Sequence, residues 1–222
     1  MIPLRDVIPS RTTPYITITI IAINGLAWFF ELAVPREALP EFLQVYGMVP
    51  ANFHASTLVT SMFLHGSWSH VIGNMWYLWI FGDNVEDRVG HGRFIVFYLL
   101  CGMAAALGQI VVDPQSMLPT IGASGAIAGV MGAYFVLYPH SRVLTLVIWI
   151  FIQVVEIPAI VLLGFWFLMQ LVSAGEIAAT AGTHGGGGVA FAAHVAGFLV
   201  GMGAVFLFRK PERVEQWWRE ES

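Results

Sequence analysis

Six long apolar segments, separated by short polar ones, restrict this chain to a fold that is embedded in a membrane. A transmembrane helix needs about 20 mostly apolar residues. Hydrophobic residues make up 57% of the chain and charged residues 11%, against roughly 45–50% and 25% in soluble domains. We therefore predict an all-α, polytopic membrane protein with six transmembrane helices. The segments are Tyr15–Ala33, about Ser69–Val85, about Arg93–Val112, about Ser124–Tyr138, one span within Val143–Val172, and about Val189–Phe208.

The fifth segment is too long for one straight span. As a single helix it would extend about 45 Å, against a hydrocarbon core of about 30 Å. It could hold two spans, or one span preceded by a stretch, residues 143–157, that bends or lies sideways. Glu156–Pro158 is the natural break, because proline interrupts helices.

The positive charges decide between these alternatives. With six spans and both termini inside, nine of the ten Lys and Arg residues lie on the inner side and only Arg36 lies outside. This is the distribution that the positive-inside rule requires. Splitting the fifth segment would place Arg209 and Lys210 outside. We therefore predict one span in this segment, and a protein of the cell membrane with both termini in the cytoplasm.

Three regions follow from this topology: a cytoplasmic tail 1–14, a membrane domain 15–208 and a cytoplasmic tail 209–222. No cleavable signal is evident at the N-terminus.

The basic residues are dispersed, which argues against a nucleic-acid partner. Cys101 is the single cysteine, so an internal disulfide is excluded and a buried apolar role is expected. Gly185–Gly188 is predicted to be a flexible linker, and Trp217 and Trp218 are suited to the membrane interface.

Polar residues within predicted spans are costly and usually functional, and four of them cluster in this chain. They are His70 and Asn74 early in the second span, Ser124 at the start of the fourth and His194 early in the sixth. All three helices run from outside to inside in the six-span topology. The four side chains should therefore lie at a similar shallow depth below the outer surface.

Ser124 follows Gly122 and Ala123 at the start of a short fourth span. About fifteen residues reach only about 22 Å, so the helix can begin below the membrane surface. At a helix N-terminus, unpaired N–H groups and the helix dipole favour negative charge, as an oxyanion hole requires. The alternative is that Ser124 only caps a glycine-rich packing helix.

His194 is the candidate general base, since histidine commonly activates a serine hydroxyl near neutral pH. Gly125 and Gly129 form one small-residue face, and Gly197 and Gly201 form another. Such faces let transmembrane helices approach closely, which would bring Ser124 and His194 within hydrogen-bonding distance. The alternative is a buried histidine that is bonded to a carbonyl group.

His70 and Asn74 are four residues apart and share a helix face. Both can donate hydrogen bonds to a developing oxyanion. Zinc is disfavoured, because there is no His-Glu-x-x-His pair and no carboxylate shares the cluster. No metal or cofactor is predicted. The other histidines fall in loops or at span ends: His54, His65, His91, His140 and His184.

Taken together, these motifs resemble the rhomboid family of intramembrane proteases. The motifs are His65-x4-His70-x3-Asn74, Gly122-Ala123-Ser124-Gly125 and Ala193-His194-x2-Gly197, with Gly82, Glu86 and Gly90 also matching. The resemblance covers the whole chain and implies a six-helix bundle with a short fourth helix. It also implies a Ser124–His194 dyad without a carboxylate third member.

The same resemblance assigns further roles. His70, Asn74 and the backbone N–H of Ser124 would hold the oxyanion, Gly122 and Ala123 would shape the hole, and His65 would brace the loop before the second span. Similar proteins cleave single-pass membrane proteins near the outer face, so transmembrane protein substrates and membrane lipids are the expected partners. The oligomeric state and the physiological substrate are left open.

One position departs from the family pattern. Some relatives place an aromatic residue four positions after the serine, stacked on the histidine, and here that residue is Ala128. The sequence leaves open what orients His194.

Two other functions are compatible with parts of the pattern. A six-span transporter would also place polar residues in its spans, but there is no inverted repeat and no acidic relay, Glu156 being the main buried-acid candidate. An inactive rhomboid-like protein that binds membrane clients would typically lack the serine or the histidine, and both are present.

Overall fold

The computed structural model describes residues 1–148, 151–180 and 190–210, which form mainly helices. The helices are α1 Tyr15–Ala33, α2 Leu39–Tyr46, α3 Thr57–Thr60, α4 Trp68–Val89, α5 His91–Val112, α6 Ser124–Leu137, α7 Ala159–Thr180 and α8 Phe191–Phe208. Short 3₁₀ turns lie at Pro50–Asn52 and Ser61–Phe63. The strands are β1 Ile2–Asp6, β2 Arg142–Ile148 and β3 Ile152–Pro158.

Helix α6 lies at the centre of a helical bundle. It packs against α4, α5, α7 and α8, and its residues from Gly125 to Tyr134 are all buried. A helix that is apolar on every side is suited to such a position. The predicted class, a helical membrane bundle with a short fourth helix, is confirmed.

The six predicted spans correspond to α1, α4, α5, α6, α7 and α8. By length and composition, α1, α5 and α8 could each cross a membrane. Helix α6 and the apolar part of α7, Ala159–Gly175, are shorter. Helix α4 has 22 residues but carries Asp83, Glu86, Asp87 and Arg88 near its end. The count of six spans therefore stays a prediction.

The structure supplies the path of residues 143–157, which the sequence left open as a stretch that bends or lies sideways before the fifth span. The first half of the fifth segment forms the hairpin β2–β3, and α7 begins at Ala159, immediately after the predicted break at Pro158. β1 pairs antiparallel with β2, which completes a sheet of order β1-β2-β3. An unbroken apolar run shows no periodicity by which strand and helix can be distinguished. Its β-branched residues were the available signal, because Val and Ile favour strands.

The start of α1, the end of α4 and the start of α5 are joined by Glu86, whose side chain is fully buried. Its carboxylate accepts hydrogen bonds from the backbone N–H groups of Ile16 at 2.9 Å and Thr17 at 2.8 Å. It also contacts Nδ1 of His91 at 2.5 Å. A carboxylate at a helix N-terminus is stabilising, so Glu86 fixes where α1 begins.

Much of the predicted N-terminal tail is attached to the bundle, since β1 belongs to the sheet and the N–H of Thr12 donates to Asp87 at 3.1 Å. The predicted linker Gly185–Gly188 and the C-terminal residues after Lys210, including Trp217 and Trp218, lie outside the described residues.

Candidate active site

Ser124 is the first residue of α6, so its backbone N–H has no partner within the helix. The chain reaches this point through Gly122, whose φ of +121° is a conformation that favours glycine. The N–H of Gly122 donates to the carbonyl of Ser61 at 2.9 Å, which ties the approaching loop to the turn before α4. Ser124 thus stands at a helix N-terminus whose preceding loop is held by the turn Ser61–Phe63.

Helices α6 and α8 meet through the two glycine faces seen in the sequence. An added methyl group at Gly197 would collide with the carbonyl of Gly125, and one at Gly201 with the carbonyl of Gly129. The backbones are therefore in direct contact, as small residues permit. This close approach is what brings the first turns of the two helices together.

The result is a short contact between Ser124 and His194. Nε2 of His194 lies 2.8 Å from Oγ of Ser124, and His194 is 8% exposed. At this distance the imidazole can accept the hydroxyl proton if Nε2 carries no hydrogen. The pair therefore has the geometry of a nucleophile and its general base.

The other ring nitrogen of His194 contacts a residue that sequence reasoning missed. Nδ1 lies 2.7 Å from Oε1 of Gln170 on α7. The amide oxygen can only accept, so this bond selects the tautomer with hydrogen on Nδ1 and leaves Nε2 free to receive a proton. The available signal was a lone amide among the otherwise apolar residues 159–172, because polar groups within a span are usually functional.

Trp166 supplies the aromatic contact that Ala128 cannot. Its ring centroid lies 5.9 Å from that of His194, with the planes inclined at 36°. Trp166 and Gln170 are four residues apart and so share one face of α7. Ala128 is fully buried within α6. One helix therefore orients the imidazole both by packing and by hydrogen bonding.

His70 and Asn74 face the loop before Ser124. A Cβ atom added at Gly122 would lie 2.7 Å from Nε2 of His70 and 3.6 Å from Nδ2 of Asn74. Two potential donors therefore border one small space beside the Gly122 backbone. Ala123 points into the hydrophobic core, so only its backbone can contribute to this part of the site.

His65 is fully buried and holds Asn74. Its Nε2 lies 3.0 Å from Nδ2 of Asn74, so one amide N–H of Asn74 is engaged and the other stays available. Glu31 accepts the backbone N–H of His65 at 3.0 Å, which fixes the loop to α1. Burial, reinforced by the neighbouring His70, lowers the pKa of His65 to about 4, which keeps the ring neutral as the acceptor that Asn74 needs.

The remaining candidates lie elsewhere. Glu156 is half exposed and pairs with Arg142 at 3.2 Å, so it is not a buried acid. Over residues 1–148, 151–180 and 190–210, no three His, Cys, Asp or Glu side chains are grouped as a metal site would require. Cys101 is a free thiol in the core. His184 lies outside the described ranges.

Comparison with known proteins gives one consistent family. The Rhomboid domain matches residues 52–211. The chloroplastic rhomboid-like protein 11 of Arabidopsis thaliana is 30% identical over 84% of this chain and 66% of its own length. The rhomboid protease GluP of Bacillus subtilis is 33% identical over 54% of this chain and 24% of its own length. The mitochondrial rhomboid protein 1 of Saccharomyces cerevisiae is 31% identical over 48% of this chain and 32% of its own length. The chain thus spans between a quarter and two thirds of these relatives.

Proposed function

This chain belongs to the rhomboid family of multi-pass membrane proteins, and we propose that it is an intramembrane serine endopeptidase. The observation that carries the proposal is the Ser124–His194 contact of 2.8 Å at the partly buried start of α6. The proposed substrates are single-pass transmembrane proteins, cut near the outer face of the cell membrane.

In the proposed reaction, Oγ of Ser124 attacks the scissile carbonyl while Nε2 of His194 takes the hydroxyl proton. His194 then donates that proton to the leaving amine, which leaves an acyl-enzyme on Ser124. Water attacks this ester, with His194 again acting as base, and the serine is restored. The cycle needs no metal or cofactor.

The oxyanion would be held by the Ser124 N–H together with His70 and Asn74. Removing one donor from an oxyanion hole typically reduces kcat by about 10² to 10³. The placement of His70 and Asn74 around Gly122 supports this assignment, because that backbone precedes the nucleophile by two residues. Fixed donors are worth more here than in water, since Asn74 and His194 are each only 8% exposed and electrostatic interactions are stronger in a buried setting.

Gln170 is proposed to act as a positioning residue. It accepts the Nδ1 hydrogen of His194 in the place where a soluble serine protease has a carboxylate. A neutral amide fixes the tautomer without adding a negative charge to a membrane interior, where an unpaired charge is expensive.

The two alternatives receive less support. An inactive client-binding relative has no need for a serine and a histidine at hydrogen-bonding distance. An acidic relay would require free acids along a path, whereas Glu156 is half exposed and paired with Arg142, and the buried Glu86 accepts the backbone N–H groups of Ile16 and Thr17.

The deciding experiment compares wild-type protein with Ser124→Ala in detergent, using a model single-pass substrate and a fluorophosphonate probe. We expect cleavage and covalent labelling of the wild type only. Thermal unfolding of the variant, unchanged from wild type, would show that it folds. Equal cleavage by both proteins would remove Ser124 from the reaction, and a folded wild type without cleavage or labelling would favour the inactive relative.

A further inference from the structure

The sheet formed by β1, β2 and β3 stands beside the bundle rather than below it. Nε1 of Trp76 donates to the carbonyl of Pro3 at 2.7 Å. Trp76 is the ninth residue of α4, about 12 Å from the start of the helix and about 20 Å from its end. Pro3 therefore lies level with the middle of a predicted span.

A second contact gives the direction of β1. Nδ2 of Asn84 donates to Asp6 at 2.8 Å. From Trp76 to Asn84 the helix advances about 12 Å, and from Pro3 to Asp6 the strand advances about 10 Å. The two lengths agree, so β1 runs nearly along the axis of α4.

The two faces of the sheet differ in burial. Pro3, Val143 and Thr145 are buried and form the face that packs on the bundle. The opposite face carries Ile2, Arg5, Leu144, Leu146, Val154 and Glu156, with Arg5 beside the Leu144–Glu156 pair; Ile2 is 45% and Val154 53% exposed. Within one sheet, therefore, an apolar face remains uncovered by the described protein.

The polarity of that outer face changes along the length of strands β2 and β3. Arg142 and Glu156 pair at its base, near the end of α6. Above them, Leu146 lies opposite Val154, and Ile148 lies opposite Ile152. A polar base below an apolar body is the order expected at the boundary between headgroups and acyl chains, because charged side chains extend toward the interface.

We propose that this sheet is embedded in the inner half of the bilayer, with its outer face against lipid acyl chains. Lipid acyl chains are the expected surroundings of the outer face, because Pro3 lies level with the middle of a predicted span. Lipid would also continue over the exposed apolar surface of α4, where Ile72 and Trp79 are 58% and 55% exposed. If the outer face were in contact with water instead, a large apolar surface would be exposed to solvent at the depth of the middle of the span.

The position of the sheet has a consequence for access. β1 packs on α4, and β2 and β3 pack on α7, the helices that carry His70 and Gln170. The sheet thus covers the inner half of the flank between them. If Ser124 cleaves membrane segments, as proposed above, a segment arriving from this flank must enter above the sheet, in the outer half.

Spin-label accessibility tests the embedding without any assay of activity. Single labels are placed at Val154→Cys on the outer face, at Ile72→Cys as the lipid control and at Glu37→Cys in the loop after α1 as the water control. Each is made in a Cys101→Ala background and placed in phosphatidylcholine nanodiscs. Collision with oxygen, which concentrates in the bilayer, is compared with collision with a water-soluble nickel chelate.

We expect the oxygen-to-nickel ratio at Val154 to match that at Ile72 and to exceed that at Glu37 by about tenfold. A label at Glu156→Cys should give an intermediate value. A ratio at Val154 equal to that at Glu37 would overturn the proposal. Thermal unfolding checks that each protein is folded, and Ile152→Cys replaces Val154→Cys if the latter is not.

Discussion

Nδ1 of His194 lies 2.7 Å from Oε1 of Gln170, so the imidazole of the proposed base is held by a helix other than the two that carry the dyad. Trp166 packs on the same ring one turn earlier on α7. The orientation of the base therefore depends on where α7 stands relative to α6 and α8, and a small displacement of α7 would alter both contacts.

Replacing Gln170 tests this dependence. Gln170→Leu removes the acceptor, and we expect kcat for a model substrate to fall about 10- to 100-fold with little change in KM, because the ring loses its tautomer preference and alignment. Gln170→Glu keeps an acceptor and adds a negative charge, which favours protonated His194. For this variant the acidic limb of the pH–rate profile should move to higher pH. A merely structural Gln170 would lower stability in both variants and leave the profile unmoved.

Gly197→Ala tests the contact between α6 and α8. The added methyl group meets the carbonyl of Gly125, so the helices must separate at the level of the dyad. We expect a loss of about 1–3 kcal/mol in unfolding free energy, as for other overpacked sites, and strongly reduced fluorophosphonate labelling. Gly203→Ala on the same helix is the matched control, since nothing lies within 4 Å of the added atom. Equal effects of the two substitutions would contradict the role given to the glycine face.

Gly122→Ala tests the space beside His70. The substitution places a methyl group 2.7 Å from Nε2 of that ring and strains a backbone with φ of +121°. We expect kcat to fall at least 10²-fold, the usual effect of losing an oxyanion donor. Gly73→Ala on α4, where an added methyl group meets nothing within 4 Å, should retain activity. Full activity of folded Gly122→Ala would place the oxyanion elsewhere.

The buried His65 predicts a pH dependence of stability. Burial lowers its pKa from 6.5 to about 4 in the folded protein, so between these values the unfolded state binds more protons. The contribution of His65 to the free energy of unfolding is therefore fully present above pH 6.5, and it is lost as the pH falls toward 4. Between pH 7 and pH 5 we expect a loss of about 1–2 kcal/mol.

His65→Gln is the comparison for that measurement. Glutamine does not titrate and still offers an oxygen to Asn74, so its unfolding free energy should fall less over the same pH range. Chemical or thermal unfolding in one detergent at several pH values provides the data. Parallel pH curves for the two proteins would show that the loss arises from other groups.

The sequence by itself determined the class of fold and the identity of the candidate dyad. Long apolar segments predict a helical membrane bundle, because backbone N–H and C=O groups in lipid must form their hydrogen bonds within helices or closed barrels. Polar residues stand out against that background, which is how Ser124, His194, His70 and Asn74 were found. The glycine spacing predicted the contact of α6 with α8, because close approach depends only on the absence of side chains.

Tertiary structure alone decided the rest. The partners of His194 lie 24 and 28 positions away on α7, and whether Gln170 and Trp166 face it depends on the rotation of a helix that sequence spacing does not fix. The hairpin within the fifth segment was missed for a related reason. A continuous apolar run has no periodicity that separates helix from strand, and only the structure shows its pairing with the distant β1. Contacts between remote segments are set by packing, and packing is a property of the folded chain.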